Sequence, residues 1–239
     1  INVKALFSDT AVEQEVIDAL QQHFTTTLPA YHFEFLADRP WEREWLKDFH
    51  AMQFGQRLWI CPDGQRPQDP NAIIVDLDPG LAFGTGTHPT TAMCLEWLDQ
   101  HEIQGQHVID YGCGSGILAI AALKLGAQHV QGVDIDPQAL IASRDNAARN
   151  EVSERLSLSL DDDALKPADV VMANILAGPL EQLAPRLAQL TKINGHIVLS
   201  GILTEQATSV HNRYATWFDM QPITTHGDWA RLSGTRVAT

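Results

Sequence analysis

The chain has 239 residues, 44% of them apolar and 19% charged, enough to bury one α/β core with a smaller appendage and too apolar for a disordered or fibrous protein. Its formal charge of −14 weighs against direct contact with nucleic acid, which needs a surplus of lysine and arginine; it suits a basic substrate, and serves plain solubility equally well. Cys61, Cys94 and Cys113 are odd in number and far apart, which argues against a disulfide scaffold, and no apolar run approaches the ~18 residues of a transmembrane helix. No signal peptide is apparent, so a cytoplasmic monomer with no membrane partner is expected.

Isoleucine at position 1 opens inside an element, so an upstream segment is expected to be missing. Val3 to Phe7 reads as a strand, Val12 to Phe24 as an amphipathic helix and Tyr31 to Leu36 as an alternating strand. These make residues 1–38 either part of an α+β domain or a small layer on the main one. Residues 39–60 read as a linker, with Trp41, Trp45 and Phe49 on one face of a helix from Trp41 to Phe49 as a packing seam. Residues 61–239 form the main domain, its regular pattern beginning near Leu58.

Helices are expected at Pro89 to Leu98, Gly116 to Leu125, Pro137 to Asn150, Pro179 to Leu190 and Glu205 to Phe218. Several open with proline in the first turn, where its missing N–H costs nothing. Strands near 107–111, 129–134, 156–160, 169–174 and 195–200 alternate with them, which implies a mostly parallel, Rossmann-like α/β sheet with right-handed crossovers. Residues 219–225 and 229–237, joined by Gly227 and Asp228, read as a closing antiparallel hairpin.

Val108 to Ile117 (V-I-D-Y-G-C-G-S-G-I) is an apolar strand running through a glycine turn into a helix. A β-carbon there would block a backbone that turns sharply and lets a ligand approach its N–H groups. The next strand, His129 to Asp134, ends in a carboxylate 22 residues after Gly112, where an acid accepts both hydroxyls of a ribose. The glycines fall at Gly112, Gly114 and Gly116, giving D-x-G-x-G-x-G from Asp110 instead of G-x-G-x-x-G. No Walker lysine follows, and Ile117 to Leu125 is almost wholly apolar, so nothing there receives phosphate. An ordinary tight strand-to-helix turn is the plainer alternative.

The D-x-G-x-G-x-G form resembles motif one of the class I S-adenosylmethionine methyltransferases, whose cofactor is an adenosine carrying a sulfonium and an amino acid. That fold also closes with an antiparallel hairpin, which the dinucleotide-binding fold lacks. Leu77 to Thr91, with D-P-G-L-A-F-G-T-G-T-H-P-T-T, and Asp169 to Leu180, within A-D-V-V-M-A-N-I-L-A-G-P-L, narrow the likeness. With the glycine turn between them, they resemble the bacterial ribosomal protein L11 methyltransferases. The similarity includes Trp41 to Cys61 and Asp134 to Asn150, and extends over most of residues 40–203. It implies S-adenosyl-L-methionine as cofactor and ribosomal protein L11 as substrate, methylated on lysine side chains and the N-terminal amine. It also implies an N-terminal substrate-recognition domain, of which residues 1–38 are the remainder. Thr91, Gly112, Gly114, Asp134 and Asn174 become cofactor-binding residues, with the loop from Phe83 to His88 folding over the methionine part.

Methyl transfer from a sulfonium is a backside displacement, so positioning is the main task. An amine nucleophile must arrive neutral, and the sulfonium's charge lowers its pKa, so no dedicated base is required. An oxygen that accepts the amine hydrogens aims the lone pair, and Asn174, ending a buried strand, is the candidate catalytic residue. Amine methyltransferases often carry N-P-P-Y or D-P-P-Y here; this chain has N-I-L-A, without the clamp for a flat group, which suits a flexible aliphatic amine. Alternatively Asn174 caps the following helix, and Thr87 caps the one begun by Pro89. Phe83 is a candidate for lining the substrate channel, with packing the commoner role. Asp110 is expected to anchor the glycine turn, Asp136 to cap a helix and Cys113 to fill a small space. Asp161, Asp162 and Asp163 include candidates for the adenine amino group, or form a solvated turn. The ten histidines show no metal-binding spacing, so no metal is expected.

Overall fold

Apolar residues in the central strands are buried on both faces, so successive side chains must enter two different cores. The structure, a computed structural model, describes residues 5, 7–8, 11–24, 30–33, 50–62, 64–77 and 88–238. It divides into the units Ile1–Trp41 and Glu42–Thr239. In the first, helix α1 (Glu13–His23) matches the expected helix; Glu13 and Glu15 in its first turn and His23 in its last complement the helix dipole, and none of its residues is buried. Tyr31, His32 and Phe33 are not in a strand. The rest of that expected strand, most of the one at Val3 to Phe7, and the helix at Trp41 to Phe49 lie outside the described residues.

The second unit opens with a small sheet of β1 (Met52–Phe54), β2 (Leu58–Cys61) and β3 (Ile73–Asp76). β1 and β2 pair antiparallel, β2 and β3 parallel. The sequence marked only the start of the regular pattern near Leu58, because these strands are three or four residues long and half of their positions are partly exposed. Helix α2 (Pro89–Gln100) ties this sheet down: the buried Asp99 accepts from the backbone N–H of Gln56 at 2.6 Å and pairs with the Arg57 guanidinium.

The main sheet comprises β4 (His107–Tyr111), β5 (His129–Val133), β6 (Leu156–Ser159), β7 (Ala168–Asn174), β8 (Thr191–Leu203), β9 (Phe218–Met220), β10 (Thr224–His226) and β11 (Trp229–Arg236). Its order is β10-β11-β8-β7-β4-β5-β6, with β9 also pairing β11. Strands β4 to β8 are parallel; β9, β10 and β11 supply antiparallel pairings. Val108, Val170, Met172 and Val198 pack in one core with α2 and α3 (Ile117–Lys124). Ile109, Val171, Ala173, Ile197 and Leu199 pack in the other with α5 (Ala177–Leu190) and α6 (Thr204–Tyr214). This is the period-two alternation of strands covered on both faces. Truncating Ile109, Met172, Ile197 or Leu199 to alanine costs about 2–5 kcal/mol.

Helix α4 (Pro137–Arg149) completes the layer between β5 and β6. The β6 to β7 connection has no helix among residues 160–167. It is held instead by Asp162, which accepts from Tyr111 Oη at 3.2 Å and Arg186 Nε at 3.0 Å. At the carboxyl end the chain departs from expectation twice. Helix α6 ends at Tyr214, because Phe218 is buried as a strand residue opposite Arg236. The first hairpin arm splits into β9 and β10 around Pro222, which has no N–H for a ladder. The two-residue Gly227-Asp228 turn stands as expected between His226 and Trp229.

Candidate active site

Parallel strands end together at one edge of the sheet, and helix starts and loops at that edge gather residues from distant parts of the chain. After β4 the backbone N–H groups of Gly112 and Cys113 both donate to Val133 O, at 2.7 and 3.1 Å, which locks the turn to the end of β5. Gly112 has φ +79°, and a β-carbon there would lie 2.4 Å from Ile175 Cγ2. The glycine is therefore required by its neighbour in the β7 to α5 loop as well as by its own backbone.

Asp134 follows β5 and is half-buried. Its Oδ2 accepts from Gly114 N at 2.9 Å and its Oδ1 from Asp136 N at 3.0 Å. Each oxygen keeps a lone pair, so the carboxylate is held rigid while still able to accept hydroxyl protons. Asp136 caps α4, its Oδ1 accepting from Gln138 N at 2.9 Å. Asp110 is 2% exposed and accepts from Ala119 N at 3.0 Å in the first turn of α3, anchoring the glycine turn. Burial, reinforced by the charge of Asp134 and opposed by the Ala119 N–H, pushes its pKa up to about 7. Cys113 is buried beside Ser143, and burial pushes its thiol up to about 12, as suits a filler.

Ile135 is 93% exposed and Leu160 is 50% exposed, just after β5 and β6. Two exposed aliphatic side chains at the ends of neighbouring strands suit the flat face of a purine better than water. Sequence reasoning missed both. The available signal was an isoleucine set between two acids in D-I-D-P. Of the three consecutive acids, Asp162 is already engaged by Arg186 and Tyr111, which leaves Asp161 and Asp163 exposed.

The opposite side of the edge is built from α2, β7 and β11. Asn174, the last residue of β7, donates from Nδ2 to Thr91 Oγ1 at 3.2 Å. Thr91 lies in the first turn of α2 and is 1% exposed. The alternative of Asn174 as a helix cap is not realised: Leu176 occupies the cap position of α5, with no side-chain hydrogen bond. At the start of α2, His88 takes the cap position, its Nδ1 accepting from Thr90 N at 3.4 Å. Thr87 and Phe83 lie outside the described residues. The His88 ring meets Trp229 edge to face, centroids 4.7 Å apart. Trp229 starts the antiparallel β11, so it sits at the same edge as the carboxyl ends of the parallel strands. Leu176, two residues beyond Asn174, is 70% exposed. Among the described residues no group of three or more His, Cys, Asp or Glu is arranged to hold a metal ion, and no helix is long and apolar enough to cross a membrane.

A family model described as ribosomal protein L11 methyltransferase (PrmA) matches residues 1–237. A ribosomal protein L11 methyltransferase of Pasteurella multocida is 54% identical over 238 residues, covering 98% of this chain and 80% of that protein. The crystal structure of a ribosomal protein L11 methylase from Lactobacillus delbrueckii subsp. bulgaricus matches with a TM-score of 0.73 at 33% identity, over 80% of this chain and 100% of that one. An RNA methyltransferase from Salinibacter ruber in complex with S-adenosyl-L-homocysteine has a similar fold, with a TM-score of 0.50 at 19% identity over 62% of this chain and 90% of that one.

Proposed function

The chain belongs to the ribosomal protein L11 methyltransferase family, and from that membership we propose that it methylates lysine side chains and the N-terminal amine of ribosomal protein L11. It is an S-adenosyl-L-methionine-dependent methyltransferase. The bound cofactor supplies a methyl group on a cationic sulfur, open to a nucleophile on the side away from that sulfur.

The residues divide the work. Gly112 and Gly114 keep side chains away from the turn that the cofactor approaches, and Asp134 accepts the ribose hydroxyls with the lone pairs its two backbone bonds leave over. Ile135 and Leu160 offer the adenine an apolar surface. Asn174 receives the amine: with Nδ2 committed to Thr91, its carbonyl oxygen is the group left to accept an amine N–H and turn the nitrogen lone pair toward the methyl group. Thr91, buried, acts on both sides, contacting the cofactor and fixing which end of the Asn174 amide is the acceptor. The lysine stem lies along exposed Leu176, where a Pro-Pro-Tyr clamp would hold a flat group. The amine arrives neutral, and after transfer its surplus proton passes to water. Residues 1–38 serve substrate recognition, and the charge of −14 favours encounter with a basic protein.

The Asn174 to Thr91 hydrogen bond carries the assignment of the acceptor side. The test is incubation of the purified protein with methyl-labelled cofactor, purified ribosomal protein L11, and separately ribosomal RNA and small amines. Label is expected on amino nitrogens of L11; label in RNA or small amines alone rejects the substrate.

A further inference from the structure

We propose that Arg231 is a positioning residue for the acceptor side of the site, a reading that rests on the proposed methylation of a protein amine. Buried Ala230 and Leu232 face the core with α5 and α6, so Trp229 and Arg231 face α2. Along that face the two residues meet successive parts of α2: Trp229 touches His88 at its cap, and Arg231 Nη1 donates to Met93 O at 3.0 Å. The other end of the guanidinium, Nη2, donates to Thr224 Oγ1 on β10 at 3.0 Å. One side chain thus bridges the hairpin and the helix that carries His88 and Thr91.

Two further features fit this role. The β11 to β8 register shifts between Ala230 and Leu232, placing Ser200 and Gly201 of β8 opposite Arg231. Gly201 has φ +82°, and a β-carbon there would lie 2.3 Å from Ile175 O, so this irregularity abuts the loop that follows Asn174. Arg231 also sits where a cation is costly. It is half-buried, its Nε is buried without a hydrogen-bond partner, and no carboxylate forms an ion pair with it among the described residues. Burial lowers its pKa against the favourable but unpaired charge of Glu96, and a methionine of similar length would fill the space without that desolvation cost. What methionine lacks is the two-ended bridge that sets the distance between hairpin and helix. Arg231 therefore holds the His88 and Trp229 pair in place beside the Asn174 to Thr91 pair, without touching the substrate itself.

The experiment compares Arg231→Met, Arg231→Lys and Thr224→Val with the parent protein. Cofactor dissociation constants within about two-fold of the parent are expected, with kcat/KM for ribosomal protein L11 lowered about ten-fold or more in Arg231→Met, incompletely restored in Arg231→Lys, and lowered less in Thr224→Val. A proton spectrum of the histidine rings supplies a readout that a general loss of stability does not move. The His88 signals, identified by their loss in His88→Gln, shift in Arg231→Met because the Trp229 ring moves. Parent-like kinetics in folded Arg231→Met, or an unmoved His88 signal, overturns the proposal. If the parent protein fails to methylate L11, the functional reading fails instead, and the His88 signal still decides whether Arg231 sets the pair.

Discussion

The two sides of the candidate site are built by different means. The turn and acid of the proposed cofactor side lie within one stretch from β4 to the start of α4, with Leu160 and Thr91 joining from elsewhere, and are held by backbone N–H groups bonded to the Val133 carbonyl and the Asp134 carboxylate. The acceptor side is assembled from α2, β7 and β11 and is held by side chains, the Asn174 to Thr91 bond and the His88 to Trp229 ring contact. On the proposed function, the first side sets cofactor affinity and the second sets the rate of transfer. The contact of Gly112 with Ile175 joins them.

Substitutions can break or sharpen this division. The largest effect is expected from Asn174→Ala, which removes the proposed acceptor for the amine: turnover per folded molecule falls about 100-fold, while the thermal midpoint, followed by circular dichroism, changes little. A collapse of stability with an unchanged rate in the remaining folded enzyme would remove Asn174 from the chemistry. Asp134→Ala comes next, with cofactor affinity weakened by ~1–3 kcal/mol as a charged acceptor is lost. Calorimetry checks it, and unchanged affinity rejects the ribose role. Equal losses of cofactor affinity in Asn174→Ala and Asp134→Ala would erase the distinction between the sides.

Thr91→Val is expected to lower turnover about ten-fold by freeing the Asn174 amide to flip. At saturating cofactor, the kcat of the double variant with Asn174→Ala should be no lower than that of Asn174→Ala alone, since coupled residues are not additive; additive losses in kcat count against the coupling.

The smallest effect on turnover belongs to Asp110→Asn, which reads out in pH dependence of stability. Burial raises the pKa of Asp110 from 3.8 to about 7 in the folded protein, so its neutral form favours folding. That contribution is fully present below about pH 4 and is lost as pH rises through about 7. The variant is always neutral and has no such loss. Denaturant titrations of the ligand-free protein should therefore show it gaining on the parent between pH 4 and 7 and holding a constant margin above; a margin independent of pH from 4 to 7 refutes the shift.

Much of this was legible before any coordinates. Proline in the first turn marked α2 and α4, and apolar runs alternating with helical segments marked the parallel strands, because helix starts and strand burial leave local signatures. The small β1-β2-β3 sheet, the division of the hairpin's first arm and the bulge opposite Arg231 left none strong enough, since each depends on which distant strand lies alongside. Asp162 shows the same limit at one residue. Its neighbours in sequence are two more acids, and only folding brings Arg186 and Tyr111 to it.

What the amino-acid sequence determined unaided is the glycine turn and acid of the proposed cofactor side: glycines, acid and apolar strand are consecutive or nearly so, and their pattern follows from spacing along one strand, turn and strand. What the tertiary structure alone decided is the acceptor side. There Thr91, Asn174, His88 and Trp229 acquire meaning from parallel strands ending at a common edge, and hydrogen bonds and ring contacts act only over a few ångströms, a nearness that no separation along the chain encodes.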